Sequence, residues 1–220
     1  MSSYLFVNFL HLVGFAYWLG GDLGVFHTSY WVANPTHPPE VRVAAAKILF
    51  WLDQVPRICM TMMLPLGLHL AWQAGLLGFG APVMTLIWIA AFAWLSMVLY
   101  LHAATPSGTK DLLTRFDFWF RLMLSISLLA VGSASVFNGA FDLPYWVGAK
   151  LAIFGALVGL GLIIRIRLKP FGPAFANIAS GKGTAGDEAA IRQSLGGTRP
   201  YVIAIWLGLF ASAALGTHLV

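Results

Sequence analysis

Six long apolar runs separated by polar connections dominate the chain. They predict membrane-length helices near Tyr4–Val32, Val55–Leu76, Pro82–Ala104, Asp117–Phe137, Pro144–Ile166 and Pro200–Leu219, each close to the ~20 residues that cross a bilayer core. Proline stands at or near the start of several runs, where its missing N–H leaves no helical bond unmade. Pro56 and Pro65 both fall in the second run, which predicts a kink or a short interfacial helix ahead of it over Val41–Leu52. Lys169–Arg199 is the one long polar stretch and reads as a loop. Within it Asp187–Leu195 predicts a short helix, with Asp187 and Glu188 in its first turn and Gly196 ending it. The first run is not expected to be a cleavable signal peptide: it lacks a basic leading region, is long, and contains Asp22 and His27. The reading is a single all-α domain, a polytopic membrane helix bundle with six transmembrane helices.

Composition strengthens that picture. Of the 220 residues 59% are apolar and only 10% charged, whereas soluble domains are about a quarter charged. A water-soluble globular domain is excluded, and nucleic-acid binding with it. The formal charge of +5 falls in alternate connections: Arg42 and Lys47 in the first, Lys110 and Arg115 in the third, and Arg165, Arg167, Lys169, Lys182, Arg192 and Arg199 in the fifth. The second and fourth connections and both ends carry none, so both termini are expected outside the cytoplasm of a bacterial inner membrane. A single cysteine, Cys59, rules out an intramolecular disulfide.

A charge in hydrocarbon costs at least ~2.5–3.5 kcal/mol on insertion scales, so ionisable residues inside the runs are functional candidates. Depth sorts them into two layers. His11, His69 and Lys150 each lie six or seven residues from the outer edge of their run, roughly 10 Å down at the helical rise. Two imidazoles at equal depth on neighbouring antiparallel helices are the arrangement that ligates a haem iron from both sides, and an ammonium beside them can neutralise a propionate. The alternative for each histidine is a hydrogen bond to a carbonyl of a neighbouring helix, and for Lys150 a side chain that snorkels outward.

The inner layer holds His27 and His102, with Arg57 and Arg121 near the same level and Asp22, Asp53 and Asp117 as charge partners. A second haem between His27 and His102 is the weaker option, because His11 and His27 point roughly 160° apart around one helix. His11, Trp18 and Asp22 instead share a stripe within about 20°, which places that face against the bundle core. Asp53/Arg57 and Asp117/Arg121 have the i, i+4 spacing of pairs along one helix face. Asp22 has no partner on its own helix, so Arg57 or Arg121 is its expected counter-ion. His37 and His218 are expected to be solvated.

The two inner pairs belong to a weak internal repeat. Phe15-Ala16-Tyr17-Trp18-Leu19 precedes His27 and then Asp53-x-x-x-Arg57, and Phe92-Ala93-Trp94-Leu95 precedes His102 and then Asp117-x-x-x-Arg121. Cys59, Met60 and Met63 fall on one helical side, a soft donor set suited to copper, although methionine is also ordinary apolar filler. Glycines such as Gly155, Gly159 and Gly161 lie within a span, where small residues permit close helix contact. No phosphate loop, nucleophile elbow or HExxH zinc motif is present.

His11 followed by Trp18-Leu19-Gly20-Gly21, Arg57 with Pro65-Leu66-Gly67, and Trp146-x-x-x-Lys150-Leu151 together resemble the motifs of the CopD/HemJ-like membrane superfamily. That group includes haem-b-carrying protoporphyrinogen oxidases, copper resistance proteins and membrane-bound urate oxidases. The likeness covers the first, second and fifth runs. Asp22-Leu23-Gly24 and Val32 depart from the oxidase pattern, with His27 only a displaced substitute, so the specific porphyrinogen reaction is not carried over. The resemblance implies a haem-b-binding membrane oxidoreductase, with His11, Arg57 and Lys150 the positions carried over. The expectation is a cytochrome-b-like redox protein with His11 and His69 as axial ligands, Lys150, Arg57 and Trp18 around the cofactor, and a quinone- or porphyrin-like small molecule and a redox protein as partners. A copper-handling transporter and a cofactor-free subunit of a homo-oligomer or larger membrane complex are the alternatives.

Overall fold

The computed structural model describes residues 3–217 and residue 219, so the expectation for His218 lies outside the described residues. Among them the chain is entirely helical: α1 (Ser3–Ala33), α2 (Pro39–Leu52), α3 (Gln54–Gln73), α4 (Ala81–Ala103), α5 (Gly108–Asn138), α6 (Tyr145–Arg167), α7 (Phe171–Ala179) and α8 (Ala185–Gly216), with a 3-10 turn at Ala140–Asp142 between α5 and α6. Five of these, α1, α4, α5, α6 and α8, are long and apolar enough to cross a membrane. The predicted run Val55–Leu76 is also a helix, α3, and at 20 residues it has the length of a span. Its polar residues Gln54, Arg57, Thr61, His69 and Gln73 set it apart from the other five.

The helices close into a ring, α1–α3–α4–α5–α6–α8 and back to α1, with α3 and α6 touching across it. Glycines fix the register. Along the α1–α3 seam, Gly14 faces Met63 and Gly21 faces Pro56, so the two helices run antiparallel, and Gly24 beyond them faces Leu52 at the end of α2. Along the α5–α6 seam, Gly132 meets Gly148 and Ala152, and Gly155 meets Ser125 and Leu129. Ser125 Oγ donates to the Gly155 carbonyl at 2.7 Å, stitching these backbones together. Of the glycines expected at close contacts, Gly155 and Gly159 meet α5, while a Cβ at Gly161 would meet nothing within 4 Å.

The main core, including Trp18, Cys59, Met60, Met63, Trp94, Leu157, Val158, Ile205 and Leu209, fills the ring. Outward faces keep Phe9, Leu12, Tyr17, Leu86, Trp119, Ile126, Leu207 and Phe210 exposed, as expected for side chains that contact lipid rather than water.

Lys169–Arg199 is not a loop. Phe171, Ala174 and Ile178, at helical spacing on α7, pack with Val32, Ala45, Ala46, Leu49, Ile191 and Leu195 into a second core at the Arg-rich end of the ring. Arg42 locks this core. It is almost wholly buried, its Nε donates to the Val32 carbonyl at 2.9 Å, and its two terminal nitrogens fork onto Glu188 at 2.6 and 3.0 Å.

The short helix predicted over Asp187–Leu195 is the opening of α8, which continues through Gly196 and Pro200. Its start is set by a capping box in which Thr184 and Asp187 satisfy each other's backbone N–H. Gly196 does not end it, because Ile191, Ser194, Leu195 and Thr198 are buried on both sides of that glycine and packing outweighs a propensity cost of about 1 kcal/mol. The expected interfacial helix is α2, which reaches α3 through Asp53 alone and leaves Ile48, Phe50 and Trp51 exposed.

Candidate functional site

The predicted outer layer divides. On α1, His11 lies against Gly67, where a Cβ would stand 3.3 Å from its Cε1, and His11 Nδ1 is buried without a hydrogen-bond partner. Two positions along α3 from Gly67, roughly 200° around the helix, His69 faces the other way. Its ring sits between Trp72 and Trp88, and its Nδ1 accepts from Trp88 Nε1 at 3.0 Å. A neutral imidazole accepting at Nδ1 carries its proton on Nε2 and has no lone pair left for a metal. In this structure the two rings of the expected clamp are turned to different neighbours, His11 to Gly67 and His69 to Trp88. Lys150 stands near the end of α8, with its ammonium against Gly216 and 5.5 Å from the centre of the Trp146 ring.

Arg57 belongs to neither histidine. It lies at the opposite end of α3, beside Asp53, so the three positions suggested by the family resemblance are split between the two ends of the bundle. The soft donors diverge as well. Met60 Sδ accepts from Arg121 at 3.5 Å, whereas Met63 Sδ faces Gly14 of α1. Among the described residues no group of three or more His, Cys, Asp or Glu side chains is placed to hold a metal ion.

Charge converges instead at the Arg-rich end, where two adjoining cavities of 230 and 390 Å³ open among α2, α3, α5 and α6, the smaller bordered also by α4 and the larger by α1, α7 and α8. Both are lined by Phe50, Asp53, Arg57, Arg121 and Arg165. The smaller adds His102 and Asp117; the larger adds Trp18, Asp22, Lys169 and an apolar floor that includes Leu157, Leu162 and Ile205. The larger is of the size that holds small molecules.

Asp117 anchors the polar wall. Its side chain is 3% exposed and accepts from Trp94 Nε1 at 3.1 Å, from Arg121 Nε at 2.9 and 3.0 Å, and from Arg165 Nη1 at 2.8 Å. The Arg121 guanidinium also lies 5.4 Å from the Trp94 ring centre, a cation–π contact. Arg57 is looser: Asp53 takes its Nε and Nη2, while its side chain stays 48% exposed. Both predicted i, i+4 pairs are thus made, and they meet at one cavity.

The expected counter-ion of Asp22 is absent. Both arginines proposed for it are held by other carboxylates, and Asp22 Oδ2 is buried with no hydrogen-bond partner. His27 packs edge-on to Phe26 and lines neither cavity, so it is not set opposite His102 across them. His37 stacks on Trp31, with centroids 4.7 Å apart, rather than standing free in solvent. Arg165 and Lys169, read from the sequence only as orienting charges, are cavity residues. Their signal was position. Arg165 falls one helical turn beyond Gly161 and Leu162, on the cavity-lining face of α6, and it bonds Asp117 across the α5–α6 seam. Compared with protein-family models, curated proteins and solved structures, the chain matches none.

Proposed function

We propose that this is a six-span inner-membrane protein that holds an anionic, lipid-soluble small molecule in the arginine-lined cavity, as part of membrane redox metabolism. The sixth span is α3, and the Arg-rich end with α2 and α7 faces the cytoplasm, in keeping with the distribution of Lys and Arg. The observation that carries the reading is the convergence of Arg57, Arg121, Arg165 and Lys169 on a cavity whose floor is apolar. Four cations face three carboxylates there (Asp22, Asp53 and Asp117), leaving an excess positive charge for a ligand. Among the described residues, Arg57 Nη1 and Arg121 Nη2 have no protein acceptor. The class that fits is an amphiphile with a carboxylate or phosphate head and an apolar body, which includes porphyrin-like acids.

Lysophosphatidate binding to the purified protein tests this. Replacing Arg57 by Gln removes one charge-assisted bond and is expected to weaken binding by about tenfold or more. Equal affinity in the two proteins would reject the reading.

A second reading rests on His11. Its unpartnered, buried Nδ1 marks an imidazole with spare bonding capacity. A haem b held by His11 alone, with Lys150 at a propionate, fits these donors and would supply one-electron chemistry for exchange with a redox protein. A Soret band in the purified protein that is lost in His11→Ala is the expected result. A colourless preparation would dismiss it and favour a cofactor-free subunit of a larger complex.

A further inference from the structure

Asp22 is unlike the other acids of the cavity. Asp53 is neutralised by Arg57, and Asp117 is held by Trp94, Arg121 and Arg165. Asp22 lines the same cavity, and its Oδ2 is buried without any hydrogen-bond partner. The fold holds it there. Gly21 is buried against Pro56, where a Cβ would stand 2.7 Å from the proline Cδ, so α1 is pressed onto the start of α3, and Asp22 and Asp53 line the same cavity. A buried acceptor left empty costs free energy comparable to a lost hydrogen bond. No arginine of the wall fills it, because each is turned to another carboxylate.

We infer that the cavity takes a two-ended ligand, whose anionic group meets Arg57, Arg121 and Lys169 while an ammonium N–H donor meets the Asp22 carboxyl group. This rests on the cavity being the anion site proposed above and adds the second half of its specificity. A simple fatty acid satisfies only the arginines. A phosphate joined to a primary amine satisfies both walls, and an attached acyl chain can lie along Leu157, Leu162 and Ile205.

The test uses the full chain in detergent micelles and three lysolipids with the same single acyl chain, their binding read by native mass spectrometry. All three carry the same free glycerol hydroxyl; beyond it, lysophosphatidylethanolamine offers phosphate and an N–H donor, lysophosphatidylcholine phosphate and a quaternary ammonium with no N–H, and lysophosphatidate phosphate alone. Wild-type protein is expected to favour the ethanolamine lipid over the choline lipid by about tenfold. Asp22→Asn is expected to abolish that preference and to leave lysophosphatidate bound. If Asp22→Asn does not fold, the wild-type ratio decides alone.

Equal binding of the ethanolamine and choline lipids, with lysophosphatidate still dependent on Arg57, overturns the inference while the anion site stands. Lysophosphatidate binding that ignores Arg57→Gln overturns both. Competition by phosphoethanolamine at matched concentration points to a soluble ligand, and its failure to compete points to a lipid; either result upholds the two-ended chemistry and separates its sources.

Discussion

Replacing Asp117 by Asn is expected to destabilise the protein by about 3–5 kcal/mol, the cost of removing one partner from a buried charge network. Asn has nearly the same size, so the loss is electrostatic rather than a cavity. It leaves the Arg121 side chain, 12% exposed, and that of Arg165, 32% exposed, with no carboxylate between them. Arg57 adds further like charge from the same cavity wall. Arg165 can recover some hydration, which places the expected value toward the lower end, whereas Arg121 is wedged between Met60 and the Trp94 ring and cannot. The measurement is the thermal midpoint in detergent together with the fraction recovered as a monodisperse species. Adding Arg121→Gln to the same chain should restore part of the loss, with a coupling of roughly 0.5–3 kcal/mol between the two sites. A single variant as stable as wild type would show that the network does not hold α4, α5 and α6 together.

Why the network was only half visible in the sequence follows from what periodicity encodes. Spacing along one helix fixes both axial position and angle, so the Asp53/Arg57 and Asp117/Arg121 pairs could be read directly, and both are made. Between helices only axial depth survives. His11 and His69 share a depth, yet the phase of α3 turns His69 toward Trp88 and leaves Gly67 facing His11. The same blindness assigned Asp22 a counter-ion that the fold gives to other carboxylates. The apolar runs revealed the long helices because bilayer-length hydrophobicity is a strong signal.

Lys169–Arg199 failed for a different reason. Its glycine- and alanine-rich composition resembles a linker, while its order comes from long-range burial against α1 and α2 that no local window contains. Two local signals were nonetheless present: the spacing of Phe171, Ala174, Phe175 and Ile178, and the Thr184-x-x-Asp187 capping box.

Gly132→Ala is expected to be the most damaging single-methyl addition in the bundle. The new methyl would stand 2.6 Å from the carbonyl oxygen of Gly148 and 2.8 Å from Ala152 Cβ, and would also strike the Ala152 backbone nitrogen. Neither backbone atom can rotate aside as a side chain could, so α5 and α6 must separate. Separation in turn strains the Ser125–Gly155 hydrogen bond farther along the seam and the Arg165–Asp117 bridge at its end. Overpacking of a tight core typically costs about 1–3 kcal/mol, and the backbone character of this contact places it at the upper end. Gly20→Ala is the matched control, because a Cβ there meets nothing within 4 Å and alanine is intrinsically favoured over glycine in a helix by roughly 0.5–1 kcal/mol. Thermal midpoints in one detergent should therefore move in opposite directions, down for Gly132→Ala and level or slightly up for Gly20→Ala. Equal midpoints would mean that α5 and α6 are not packed backbone to backbone, and the placement of Arg165 over Asp117 would lose its structural support.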